Sequence, residues 1–265
     1  MKSNIETKEN KIKSSIGSIF AKMWIPQTSA TEIPIILMHD SLGSVELWRD
    51  FPCILAENTA RSVIAYDRLG FGKSDARYGL PSIEFIKEEA TKFFPIIKRK
   101  LSITRYIMFG HSVGGAMSIN IAARDSDCMA VVTASSQAFV EDRTVKGIKD
   151  AQRMFEQPGQ IDRLKKWHGG KASWVLKAWT DVWLSPEFST WSLDDCIRDV
   201  VCPVLVIHGE DDEYGSVAFP EFIASKVAGI SKMMVFKGCG HMPHMERTDD
   251  VVNAVKVFLN ENNLA

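Results

Sequence analysis

Six short apolar runs, at 35–38, 63–66, 106–109, 131–133, 204–207 and 233–236, constrain the fold of this chain more than any other feature. Continuous apolar runs of this length read as strands covered on both faces, the pattern of a parallel sheet packed between helices. Helical patterns lie between them. Ser82 is placed to cap a segment that sets Ile83, Ile86, Ala90, Phe93 and Ile97 on one side, with Pro95 expected to kink it. Thr248 or Asp249 opens a last helix that buries Val251, Val252, Val255 and Phe258 or Leu259. Strand and helix in alternation predict an α/β fold, doubly wound. Ahead of it, residues 16–25 are expected to supply a hairpin with 27–31 as its turn, and residues 1–15 a disordered polar tail.

The chain has 265 residues, 45% of them hydrophobic and 25% charged, with a formal net charge of -1. That balance lacks the basic excess needed for nucleic acid or acidic membranes, so the expected partner is a small molecule. Cys53, Cys128, Cys196, Cys202 and Cys239 are scattered and odd in number, which suggests neither a disulfide framework nor a zinc site and fits a reducing cytoplasm. No apolar stretch reads as a signal-peptide core or approaches the roughly 18 residues of a membrane span.

The strand–helix pattern breaks between 139 and 199. A loop of that length inside a compact domain is improbable, so the stretch reads as a helical lid inserted into a core made of 16–138 and 200–265. Trp167, Trp174, Trp179, Trp183 and Trp191 all fall in it. Aromatics at helical spacing usually form a core, and here some are also expected to line an apolar pocket. Trp179 and Trp183, with His111 from outside the insert, are the expected substrate contacts.

One turn carries the chemistry. Gly110-His111-Ser112-Val113-Gly114 follows a buried run and opens a helical pattern, the context that gives G-x-S-x-G its meaning as a nucleophile turn. A serine hydroxyl needs a base within hydrogen-bond reach and a carboxylate to orient that base. Both follow in the order expected of such a turn: Asp212 after the run at 204–207, His241 after the run at 233–236. Asp211 and Asp212 compete for the acid's place. An oxyanion hole needs two backbone N–H groups, one after the nucleophile and one from an early loop. Val113 supplies the first and Ser41 is the candidate for the second. His39 reads as a brace for that loop.

The set H-D-S-L-G-S, Y-D-R-L-G-F-G-K-S-D, G-H-S-V-G-G, H-G-E-D-D and G-C-G-H resembles the α/β-hydrolase superfamily over nearly the whole chain. Within it, residues 138–183 are similar to the biphenyl-hydrolase-like and valacyclovir-hydrolase branch. The resemblance implies an α/β-hydrolase fold with a lid, and an acyl-enzyme mechanism without metal or organic cofactor. It also selects Asp212, three residues after the glycine of H-G-x-x-D, over Asp211. Two departures stand out. Asp40 follows His39 where glycine is usual, and Val113 follows the serine where valacyclovir hydrolases carry an acid, which argues against amino-ester specificity. The leading expectation is a hydrolase of small or medium, largely apolar carboxylic esters, lactones or thioesters. Its rivals are a carbon–carbon bond hydrolase of ring-cleavage products on the same triad, and a ligand receptor that retains the triad without turnover.

Overall fold

The computed structural model describes residues 5–264. In chain order the elements are β1 (Ile5–Ser14), β2 (Gly17–Pro26), β3 (Ile35–Met38), α1 (Phe51–Thr59), β4 (Val63–Tyr66), α2 (Phe85–Glu88), α3 (Phe94–Lys100), β5 (Tyr106–His111), α4 (Val113–Ala122) and β6 (Cys128–Ala134). Then come α5 (Asp142–Phe155), α6 (Gln160–His168), α7 (Ala172–Trp183), β7 (Val204–Gly209), α8 (Ala218–Lys226), β8 (Ser231–Phe236), α9 (Pro243–Glu246) and α10 (Thr248–Glu261). The strands form one sheet in the order β1-β2-β4-β3-β5-β6-β7-β8. β3 to β8 are parallel, while β1 and β2 join antiparallel. This is the α/β-hydrolase fold, and the six apolar runs are its six parallel strands.

Successive side chains of a strand point to opposite faces, so each run feeds two cores. Ile36, Met38, Met108 and Val206 pack with α2, α3, α4 and α8, whereas Ile35, Leu37, Ile107 and Leu205 pack with α1 and α10. β8 departs from the double burial: it is the sheet's edge, and Met233 and Val235 are exposed. Between α2 and α3 the chain makes a π-helical turn over Glu89–Phe93. Pro95 has no N–H for the carbonyl of Thr91, and the extra residue in the turn rotates the following face. Phe94 is therefore buried where Phe93 was expected, and Ile83 lies outside the face, exposed. No helix among the described residues is long and apolar enough to cross a membrane.

The stretch between β6 and β7 is helical, and it sits on the loops that follow several strands. Arg143 Nη1 donates to the carbonyl of Asp212 (3.1 Å) and Thr144 Oγ1 to that of Tyr214 (2.7 Å). Lys171 Nζ donates to the carbonyls of Gly72 (2.7 Å) and Ser74, and Trp174 packs across Gly70, where a Cβ would come within 2.4 Å of its ring.

The expected tail is a correction. Residues 1–4 lie outside the described residues, but 5–14 form β1, paired along its length with β2 from Ile5 opposite Pro26 to Ser14 opposite Gly17. The hairpin therefore turns at Ser15-Ile16 and not at 27–31. Its polarity misled because β1 is an edge strand. Only Ile12 is buried on it, opposite Ile19, while Lys8, Glu9, Lys11 and Lys13 are exposed, the charge pattern that keeps an edge from pairing with another chain. Removing residues 1–15 is expected to lower the melting temperature by about 4–10 °C, through the lost burial of Ile12 and the uncovered edge of β2. A dispensable tail would leave it unchanged in thermal denaturation followed by circular dichroism.

Candidate active site

The carboxyl ends of β3, β5, β6, β7 and β8 bring their loops to one edge of the sheet, where ligand sites of α/β sheets form. At the end of β5 the chain reverses sharply. Ser112 takes φ 57° and ψ −128°, a conformation that costs a non-glycine residue and is held by its surroundings. Ser112 N–H donates to Ala134 O (2.9 Å). Gly114 permits the rest: a Cβ there would lie 2.1 Å from the carbonyl oxygen of Met38, so only glycine lets α4 start this close to β3.

Ser112, His241 and Asp212 come together. Ser112 Oγ is 3.0 Å from His241 Nε2, and His241 Nδ1 lies 2.9 and 2.8 Å from the two carboxylate oxygens of Asp212. The carboxylate holds the ring proton on Nδ1 and leaves Nε2 to accept from the serine. Asp212 is buried and also accepts Tyr214 N–H (2.8 Å). Burial favours its neutral form, but the hydrogen bond and charge of His241 outweigh that and hold it below its ordinary value. Burial likewise pulls His241 down, yet Asp212, helped by Glu213 and Asp40, lifts it above the ordinary histidine value of 6.5. Asp211 is exposed, its N–H spent on the carbonyl of Cys239. The loop carrying His241 is clamped by Glu246, which accepts the N–H of Gly240 (2.8 Å) and of Met242 (3.0 Å).

The loop after β3 is tightly bonded. Asp40 Oδ1 accepts Leu42 N–H (2.8 Å) and the Asp40 carbonyl accepts Gly43 N–H (3.3 Å). His39 Nδ1 donates to that same carbonyl (2.8 Å), while its Nε2 accepts Arg68 N–H (3.1 Å). Burial, then the Arg68 charge, keep His39 neutral. His39 is thus a brace with both nitrogens engaged. Ser41 reaches the cavity beside Ser112, and Val113 begins α4 with the unpaired N–H of a helix's first residue.

Above Ser112 lies a cavity of about 280 Å³, lined by Ser41, Leu42, Gln137, Ile148, Leu164, Trp167, Trp179, Trp183, Tyr214 and His241 among others. Trp179 and Trp183, expected as substrate contacts, line this cavity. His111, expected with them, does not. It is buried outside the cavity's lining, with Nε2 2.8 Å from the carbonyl of His241 and Nδ1 3.2 Å from Asp40 Oδ2. A residue just before the serine in β5 points its side chain to the opposite side of the strand from a neighbour that faces the cavity.

Two residues escaped the sequence reading. Gln137 Oε1 is 3.2 Å from Ser112 Oγ. With the hydroxyl proton given to His241, that amide can serve the oxygen only through its NH2 group, and the choice of amide orientation follows from the network. Its place just beyond β6, at the same sheet edge, was the available signal. His168, at the end of α6, ties the helical insert to the loop after β3: Nε2 donates to Leu42 O (2.9 Å) and Nδ1 accepts Gly72 N–H (2.9 Å). No cluster of three or more His, Cys, Asp or Glu among the described residues is arranged to hold a metal ion.

Comparison with known proteins agrees with this architecture. The chain is 24% identical to a proline iminopeptidase of Lactobacillus helveticus (strain DPC 4571), over 86% of this chain and 90% of that one. It is 26% identical to a 2-hydroxy-6-oxo-6-(2'-aminophenyl)hexa-2,4-dienoic acid hydrolase of Metapseudomonas resinovorans, over 85% and 83% of the two chains. Among solved structures, a proline iminopeptidase of Mycobacterium smegmatis superposes with a TM-score of 0.72 at 21% identity, covering 97% of this chain and 99% of that one. The alpha/beta hydrolase family profile matches residues 35–255, and the chain belongs to that family of enzymes.

Proposed function

We propose that the protein cleaves small or medium, largely apolar carboxylic esters through an acyl-enzyme formed on Ser112. The observation that carries this reading is the 3.0 Å contact between Ser112 Oγ and His241 Nε2 at an apolar cavity. Ser112 Oγ attacks the ester carbonyl carbon as its proton passes to His241 Nε2. Asp212 stabilises the imidazolium, and the N–H groups of Ser41 and Val113 take the developing oxyanion, each such donor being worth about 3 kcal/mol. Collapse breaks the ester C–O bond and His241 returns the proton to the leaving alcohol. Water then repeats the sequence to release the acid.

Asp40 is the carboxylate among the residues lining the cavity, and both its oxygens are engaged by Leu42 N–H and His111. That leaves no free acid to receive a substrate's amino terminus and favours an ester over a peptide. A second reading is hydrolysis of a carbon–carbon bond in a ring-cleavage product. It is favoured by the relative named as a dienoic acid hydrolase and by Arg163, a cation on the cavity wall suited to a substrate carboxylate. A panel of chromogenic esters, lactones and vinylogous diketone acids separates the two. Ester turnover at rates well above the diketone acids supports the first, and the reverse order overturns it.

Ser112→Ala is expected to lower turnover on the order of 10⁶-fold without unfolding the protein. A folded mutant at wild-type rate ends the triad reading. Asp212→Asn should cost roughly 10⁴-fold in kcat, with Asp211→Asn close to wild type, since only the first carboxylate faces His241. A severe defect confined to Asp211→Asn reverses the assignment. The pH profile follows from the base: His241 must be neutral to accept a proton, so kcat/KM falls as pH drops through its raised pKa. The acid limb should therefore lie above 6.5 and move lower in Asp212→Asn, in stopped-time assays across buffers of constant ionic strength.

A further inference from the structure

We propose that Asp40 and His111 form a positioning pair that sets the oxyanion loop and the His241 loop relative to Ser112. The proposal rests on the serine-hydrolase reading above. His111 Nε2 lies 2.8 Å from the backbone carbonyl of His241, and a carbonyl can only accept, so Nε2 carries a proton. Nδ1, on the other side of the ring, lies 3.2 Å from Asp40 Oδ2. That contact ties the far side of the ring to the Asp40 carboxylate. The ring is therefore a rigid strut with a hydrogen bond at each end, one to each loop.

Asp40 continues the strut into the oxyanion loop. Its Oδ1 accepts Leu42 N–H, and its carbonyl accepts from His39 Nδ1, Gly43 N–H and Arg68 Nη2 (2.6 Å). Leu42 and Gly43 N–H are spent on Asp40, which leaves the preceding N–H, that of Ser41, as the loop's candidate donor toward Ser112. Behind the pair, Ser44, Trp48 and His244 line a cavity of about 10 Å³ and each has a buried polar atom without a protein partner. That is room for one water at most, so no substrate reaches the pair from this side. Glycine, usual at the position of Asp40 by resemblance, provides no side chain to bridge the loops.

The test uses Asp40→Ala, His111→Ala, their double mutant and Asp40→Asn, assayed on a chromogenic ester and by the rate of phosphonylation of Ser112. Each alanine variant is expected to lose about 10- to 100-fold in kcat with KM within about threefold, as misplacement of catalytic groups by about 1 Å does. The double mutant should be no more than about threefold below the worse single, because the two act as a unit. Asp40→Asn keeps an acceptor for Leu42 N–H and offers a donor to Nδ1, and should recover at least about tenfold over Asp40→Ala. Its isosteric side chain also makes it the informative variant where an alanine mutant does not fold. Lower melting temperatures with kcat unchanged would show a merely structural pair. A rise in KM alone would show a substrate contact, and multiplicative losses would show independent residues; each overturns the proposal. Wild-type protein without ester turnover would sink the ester reading instead, and the pair is then judged on the variants' phosphonylation rates relative to wild type.

Discussion

The approach of two backbones, Gly114 at the start of α4 and the carbonyl of Met38 at the end of β3, governs the geometry of the site. It brings the helix that follows Ser112 against the strand that precedes the loop of Ser41, so the serine and the second N–H donor proposed for it are set by one steric contact. The strained backbone at Ser112 is a consequence: to leave β5 and enter α4 at this separation, the chain must pass through positive φ. Such strain persists only when surrounding bonds over-determine it. The sheet supplies them, through the Ser112 N–H to Ala134 in β6 and through β5 lying between β3 and β6.

Around that contact, the loops are fixed by hydrogen bonds that each specify a direction. Glu246 holds the peptides on both sides of His241, Asp40 holds the peptides after Ser41, and His168 binds α6 to the carbonyl of Leu42. His168, at the end of α6, donates to the carbonyl of Leu42 while its other ring nitrogen accepts Gly72 N–H, so one side chain joins α6 to two loops. Pre-organisation of this kind is what lets fixed dipoles stabilise a charge without reorganising as it forms.

Most of this was legible in the sequence where one residue type does one job. Five of the six parallel strands appear as apolar runs because both their faces are covered, and Ser112, Asp212 and His241 each follow a strand that ends at the same sheet edge. Errors arose where a residue's role depends on what lies across from it. β1 looks like a solvated tail because an edge strand buries only Ile12 and satisfies the rest of its backbone against β2. His111 looks like a pocket residue because sequence adjacency to Ser112 says nothing of which side of β5 it occupies. Gln137 carries no motif at all; only the meeting of β5 and β6 brings it to the serine. Phe94 replaces Phe93 because one π-helical turn shifts the face, an event no average period contains.

The histidines show how one fold gives the same side chain opposite tasks. His39, His168, His208 and His244 are buried, and desolvation comes first among the forces that press each toward its neutral form. His39 and His168 use that neutrality: each donates from one nitrogen to a carbonyl and accepts a backbone N–H on the other, a pattern an imidazolium cannot make. His241 is partly open to the cavity and desolvation still presses on it, but its Nδ1 meets both oxygens of an ionised carboxylate, and that contact reverses the sign of its shift. The base proposed here, which would bind a proton during the reaction and release it again, needs that reversal. A brace needs its absence. The difference lies in a carboxylate at 2.8 Å against a peptide carbonyl at the same range, and so in the placement of Asp212 after β7.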